Sequence, residues 1–103
     1  MRAHYARKLP TEWLHIAQIF DGLGDPTRQT ILLLFEKDEE LTTKQLADAL
    51  PYSRTSIVHH ISTLERAELL QRRKEGREVF FRINKDLLIN TLERVLTYAK
   101  TEV

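Results

Sequence analysis

Residues 54–66 place hydroxyls, an imidazole and a guanidinium where one helix would align them. At 100° per residue, Ile57, Ile61 and Leu64 cluster on one side of that helix. Thr55, His59, Ser62 and Arg66 fall opposite them, flanked by Ser56 and Thr63. No acid stands at the centre of this outward face. Such groups suit the base edges and phosphates of nucleic acid, where a carboxylate would mostly be repelled. The first turn, Ser53-Arg54-Thr55-Ser56, also offers backbone N–H groups to a phosphate. Shortly after, Arg73, Lys74 and Arg77 surround one glycine, Gly76, and concentrate positive charge at a turn. A solvated surface of mixed charge is the competing reading.

Other chemistry has less to work with. The chain has no cysteine, which excludes disulfides, thiolate metal sites and cysteine nucleophiles. No nucleophile–base pair, phosphate-cradling glycine loop or paired-carboxylate site is visible, so an enzyme is not expected. Glu12 and His15 have a spacing compatible with two metal ligands, and His4 could join them, but without a visible third ligand on that face a solvated helix face is the favoured reading. Neither a metal nor a cofactor is expected. His59 and His60 are adjacent, so on a helix they point about 100° apart and do not share a ligand. His59 is the outward contact, and His60 is given to packing or a local hydrogen bond. Arg28 has two open readings, a partner at a helix end or acid and a phosphate contact.

The elements that must hold these groups follow from periodicity and caps. Trp13, Ile16, Phe20 and Leu23 form an amphipathic stripe, with Gly22 and Gly24 ending that helix. Asp25 before Pro26 starts a second helix, and its apolar residues 31–35 predict the most buried helix of the fold. Thr42 with Gln45 is a capping box opening a short helix over about 43–50, with Leu46, Ala47 and Leu50 inward. Pro51-Tyr52 breaks it, and Ser53 caps the next. From Leu69 the period changes, and Val79, Phe81 and Ile83 alternate with Phe80 and Arg82 in a β-hairpin with its tip at Lys74-Glu75-Gly76-Arg77. Asn84 caps a last helix with Leu88, Leu92, Val95, Leu96 and Ala99 along one stripe. The fold class is mainly α with a small β-hairpin, and two short helices followed by a basic hairpin are the parts of a winged helix-turn-helix.

The 103 residues allow one domain, with 42% apolar and 30% charged side chains. The longest apolar run, residues 31–35, is far short of the roughly 20 needed to span a bilayer, and the N-terminus shows no secretory pattern. A cytoplasmic chain with no membrane partner is expected. Net charge is +1, but residues 1–10 and 54–82 each sum to +3 and residues 36–48 to −3. A near-neutral total can therefore hide a basic face.

Four stretches resemble the arsenic-repressor (ArsR/SmtB) family of winged-helix regulators. Leu23-Gly24-Asp25-Pro26-Thr27-Arg28 is close to that family's L-x-D-P-T-R, and Leu46-Ala47-Asp48-Ala49-Leu50 follows it. Ser53-Arg54-Thr55-Ser56-Ile57-Val58-His59-His60-Ile61 is similar to its S-x-x-x-V-S-x-H-L recognition helix. Residues 73–83 are similar to its R-x-G-x-x-V-x-Y-x-L wing. Together they span about residues 20–83 in the family's order. The resemblance implies duplex-DNA binding and dimerisation through the first and last helices. Val58 stands where the family pattern has serine, and would offer an apolar contact to a thymine methyl in place of a hydroxyl. The cysteine pair of many family metal sensors has no counterpart in Leu41-Thr42-Thr43-Lys44-Gln45. The last helix offers Asp86, Glu93 and Glu102 but no histidine.

The expected protein is a homodimeric regulator, a repressor at an inverted repeat, with helices 11–24 and 84–101 at the dimer interface, the helix-turn-helix over 42–67 and the wing over 69–83. Trp13, Ile16, Phe20, Leu88, Leu92, Val95 and Ala99 would form that interface. Thr55, Ser56 and His59 are assigned to base edges, and Arg54 to bases or phosphate. Lys44, Ser62 and Arg66 are assigned to phosphates, and Arg73, Lys74 and Arg77 to backbone or minor groove. A small-molecule effector is an open partner. The rival readings are a protein-interaction module and an RNA-binding module, and the latter would be expected to offer stacking aromatics, for which Tyr52 and Phe80 are the candidates.

Overall fold

The computed structural model describes Ala3 and residues 8–103. The basic residues Arg2 and Arg7, and the ligand candidate His4, lie outside the described residues.

Side-chain caps set most of the helix starts, as the sequence predicts. α1 (Thr11–Leu23) begins at Pro10 without one. α2 (Pro26–Leu33) follows Asp25, whose Oδ2 accepts from the Arg28 N–H at 3.0 Å. That bond holds the Asp25 carboxyl below its ordinary range. α3 (Thr43–Ala49) has both halves of its capping box: Gln45 N–H donates to Thr42 Oγ1 at 3.1 Å, and Thr42 N–H donates to Gln45 Oε1 at 2.8 Å. α4 (Arg54–Arg66) starts at Ser53, and α5 (Lys85–Glu102) at Asn84.

The hairpin acquires a third strand. β1 (Leu41–Thr42) precedes α3, β2 (Leu70–Glu75) and β3 (Glu78–Ile83) form the wing, and the sheet order is β1-β3-β2. β1 pairs antiparallel with β3, Leu41 opposite Phe81 and Thr42 opposite Phe80. Two residues are too few to show alternation, so no period-2 signal marked this strand. The wing turns at Gly76, whose φ of +60° is the left-handed conformation glycine adopts without a Cβ clash.

Ile19, Ile31, Leu46, Ile57, Leu64 and Leu69 are fully buried where helices and sheet meet. The expectation that α2 is the most buried helix is wrong. Ile31 is its one buried residue and Leu33 is 84% exposed, whereas α4 buries Ile57, Ile61 and Leu64. An eight-residue helix packed on one side cannot cover an apolar run that winds around it. The reading of α1 also shifts. Ile16, Ile19 and Gly22 face inward, while Phe20 is 42% exposed. Gly22 does not end the helix but lets it approach the turn between α4 and β2, since a Cβ there would lie 2.8 Å from Leu69 Cδ1. α5 packs on α1 with Thr91 buried and Tyr98 edge-on to Trp13, ring centroids 4.8 Å apart. Ile89, Leu92 and Leu96 are left exposed.

Candidate nucleic-acid interface

Ser53, in extended backbone after Pro51-Tyr52, turns the chain into α4, and its Oγ accepts from the Ser56 N–H at 3.1 Å. The cap therefore uses one of the first-turn donors that a phosphate could have taken. With Ile57, Ile61 and Leu64 in the core, Arg54, Thr55, His59, Ser62 and Arg66 stand exposed and Ser56 is half-buried. Arg54 has no hydrogen-bond or ion-pair partner among the described residues. Arg66 Nη2 donates to Thr63 Oγ1 at 3.2 Å, and Thr63 Oγ1 donates to the His59 carbonyl at 3.3 Å. Both bonds run along the helix surface and leave the guanidinium in solvent. Lys44 in α3 pairs with Asp48 at 2.8 Å, an exposed i,i+4 pair that costs little to open.

The hairpin divides its cations by strand parity. Arg72 shares a face with Phe81 and donates to both carboxylate oxygens of Glu65 in α4, at 3.0 and 2.9 Å. The pair raises the Arg72 pKa above its ordinary value. Arg73 points to the other face, over the Phe80 ring at 4.7 Å. It donates to both oxygens of Glu40 at 2.9 and 3.1 Å and to Glu75 Oε2 at 2.6 Å. Arg73 bonding holds the Glu40 carboxyl below the usual carboxylate range, and the two acids push Arg73 upward. Lys74 and Arg77 at the tip are exposed and unpaired among the described residues. The wing thus presents the Lys74 and Arg77 charges freely, and the charge of Arg73 largely cancelled.

Residues 23–73 match a family model for a helix-turn-helix domain. The chain is 36% identical over 70 residues to an HTH-type transcriptional regulator of Methanocaldococcus jannaschii, covering 68% of this chain and 79% of that one. It is 37% identical over 67 residues to the arsenical resistance operon repressor of Escherichia coli, covering 65% and 57%. The structure of an ArsR-like transcriptional regulator from Rhodococcus superposes with a TM-score of 0.79 at 28% identity, covering 85% and 82%. The chain belongs to the ArsR/SmtB family.

As a winged helix-turn-helix of that family it is a DNA-binding transcriptional regulator and not an enzyme. No helix among the described residues is long and apolar enough to cross a membrane. The motif arginine, Arg28, is settled as a helix-end partner: Nε donates to the Gly22 carbonyl at 2.9 Å and Nη2 to the Asp21 carbonyl at 2.8 Å. His60, expected to pack or make a local hydrogen bond, instead makes a long-range contact, its Nδ1 lying 3.3 Å from Nη1 of Arg28 in α2. Glu12 and His15 separate, Glu12 pairing with Arg94 at 3.1 Å and His15 with Glu68 at 3.2 Å. The described residues contain no group of three or more His, Asp or Glu placed to hold a metal.

Sequence reasoning missed the Glu40 and Glu65 partners of the wing arginines. Residue alternation could have shown that Arg72 and Arg73 face opposite sides. Nothing in the spacing marks a partner 33 residues away.

Proposed function

We propose that this regulator is a homodimeric repressor that binds an imperfect inverted repeat in the cytoplasm. The observation that carries the reading is the exposed face of α4, where Arg54, Thr55, His59, Ser62 and Arg66 stand without a carboxylate among them. Thr55, Ser56 and His59 are assigned to base edges and Arg54 to a base or phosphate. Lys44, Ser62 and Arg66 are assigned to phosphates, and Lys74 and Arg77 to the flanking backbone or minor groove. Arg73 is moved from the contact set to bracing the wing, because reaching DNA would mean leaving two carboxylates and an aromatic face. Exposed Leu14, Phe20, Ile89, Leu92 and Leu96 support dimerisation through α1 and α5, with half-buried Trp13, Leu88 and Val95 and exposed Ala99 completing that interface. Ile16 is already buried within the single chain and is moved from the interface set to the core. Two copies would address half-sites roughly 34–36 Å apart. The repressor reading is supported by the activity named for the Escherichia coli relative. Control is assigned to an organic effector or to the regulator's own abundance, since the chain has no cysteine for redox sensing.

Selection of bound fragments from genomic DNA, followed by titration of the enriched fragment and a random duplex, tests the reading. Enrichment of a two-fold-symmetric site bound by a dimer is expected. Recovery without sequence preference would overturn it.

A further inference from the structure

Arg28 connects three helices through one side chain and its own backbone. Its N–H caps onto Asp25 at the start of α2, and Nε and Nη2 take the Gly22 and Asp21 carbonyls near the end of α1. Nη1 lies 3.3 Å from Nδ1 of His60 in α4. A guanidinium has only donors, so this contact is a hydrogen bond in the tautomer whose Nδ1 accepts. The His60 ring in turn meets His59 edge-on, centroids 5.5 Å apart at 61°. A continuous set of contacts thus runs from the end of α1 through Arg28 and His60 to the side chain assigned to a base edge.

We propose that Arg28 and His60 are positioning residues that fix how α4 is rotated in the groove, so that operator discrimination depends on side chains that touch no DNA. The inference rests on reading α4 as the recognition helix. Ile57, Ile61 and Leu64 hold α4 down, but apolar burial is non-directional and constrains rotation about the helix axis weakly. Directional links to other elements come from Glu65–Arg72 near the last turn and from Arg28–His60 beside the reader. A polar readout tolerates displacements of only about 0.5 Å, so the link beside His59 governs whether its ring meets a base edge or water. Phosphate contacts by long, flexible cations tolerate the same rotation. Loss of the strut therefore removes discrimination and spares non-specific affinity.

The test titrates the wild type, Arg28→Ala, Arg28→Lys, His60→Leu and His60→Asn against the selected operator and a random duplex, with Tm measured for each. His60→Leu and Arg28→Ala are expected to lose about tenfold in the operator-to-random ratio while random-duplex affinity holds. Arg28→Lys, with one ammonium in place of the fork, is expected to fall between them and the wild type. His60→Asn keeps an acceptor, Oδ1, in place of Nδ1 and should retain most of the ratio. The double variant Arg28→Ala/His60→Leu should lose no more than either single one. Unchanged ratios, equal losses on both duplexes, or a failure of His60→Asn to outperform His60→Leu would each overturn the proposal. If Arg28→Ala melts below the assay temperature, the two His60 variants decide, because both leave the α1 carbonyls capped. A wild-type protein that prefers no duplex overturns the recognition-helix reading and this inference with it. Discrimination that survives in the variants overturns this inference alone.

Discussion

Arg77 and His59 are both exposed in the candidate interface, yet their loss should read differently. Arg77 stands at the wing tip unpaired among the described residues, where a cation would meet backbone or groove width and carry little base identity. Arg77→Ala should therefore weaken operator and random duplexes alike, by about fivefold. His59→Ala or Ser56→Ala should cost about 1–3 kcal/mol on the operator and little on random DNA. Titration of each variant against both duplexes decides, and equal losses would move His59 and Ser56 to the phosphate class. Arg73 gives the opposite contrast. Its Glu40 partner has a carboxyl pKa below the unfolded value, so the pair's contribution is present above the ordinary carboxylate range and is lost as pH falls through the lowered value. Glu40→Gln should lower Tm slightly at pH 7, and its melting curve should converge with the wild type's in acid. The same variant should bind random duplex more tightly, because a carboxylate is gone and Arg73 is released. Tighter binding without a Tm change would mean that Arg73 braces nothing.

At the scale of elements, what the sequence revealed depended on how local the cause was. The caps at Asp25, Thr42, Ser53 and Asn84 are contacts over three residues, and all are present. The wing was legible from alternation, and the outward face of α4 from three apolar residues at 4-3 spacing. What escaped notice was set by distant partners. β1 exists because β3 lies beside it, and Leu33 is exposed because no described residue packs over that side of α2. In the site, the polar face of α4 was readable, whereas the neutralisation of Arg73 by Glu40 depended on the fold. The Thr42 cap gives a direct test of a local element. Thr42→Ala removes the acceptor for the Gln45 N–H and should lower stability by about 1 kcal/mol in denaturant titrations. Thr42→Ser should restore most of that loss, and no difference between the two variants would exclude the hydroxyl as the cause.

For the whole molecule, the proposed dimer would tie DNA binding to assembly through the exposed apolar side chains of α1 and α5. Leu92 and Leu96 are 44% and 53% exposed in the single chain. Leu92→Glu with Leu96→Glu should sediment as a monomer at concentrations where the wild type is a dimer. Loss of the second half-site should then weaken operator binding by about a hundredfold. A dimer making about 6–10 phosphate contacts should show a log–log salt slope of about −5 to −9, and one shallower than about −2 would refute docking by two wings and two helices.

The position of Thr42 has a consequence for how the molecule opens. It sits opposite Phe80 in the sheet and also caps α3, so the base of the wing and the first helix of the helix-turn-helix meet at one residue. Neither can fray at that junction without disturbing the other, and the two should form a single cooperative unit of unfolding. In native-state hydrogen exchange, the Gln45 and Phe80 amides should share one opening free energy and one denaturant dependence. Amides near Gly76 should exchange through smaller, independent fluctuations. The tip of the wing can then adjust to a groove while its root moves with the reading head as one body.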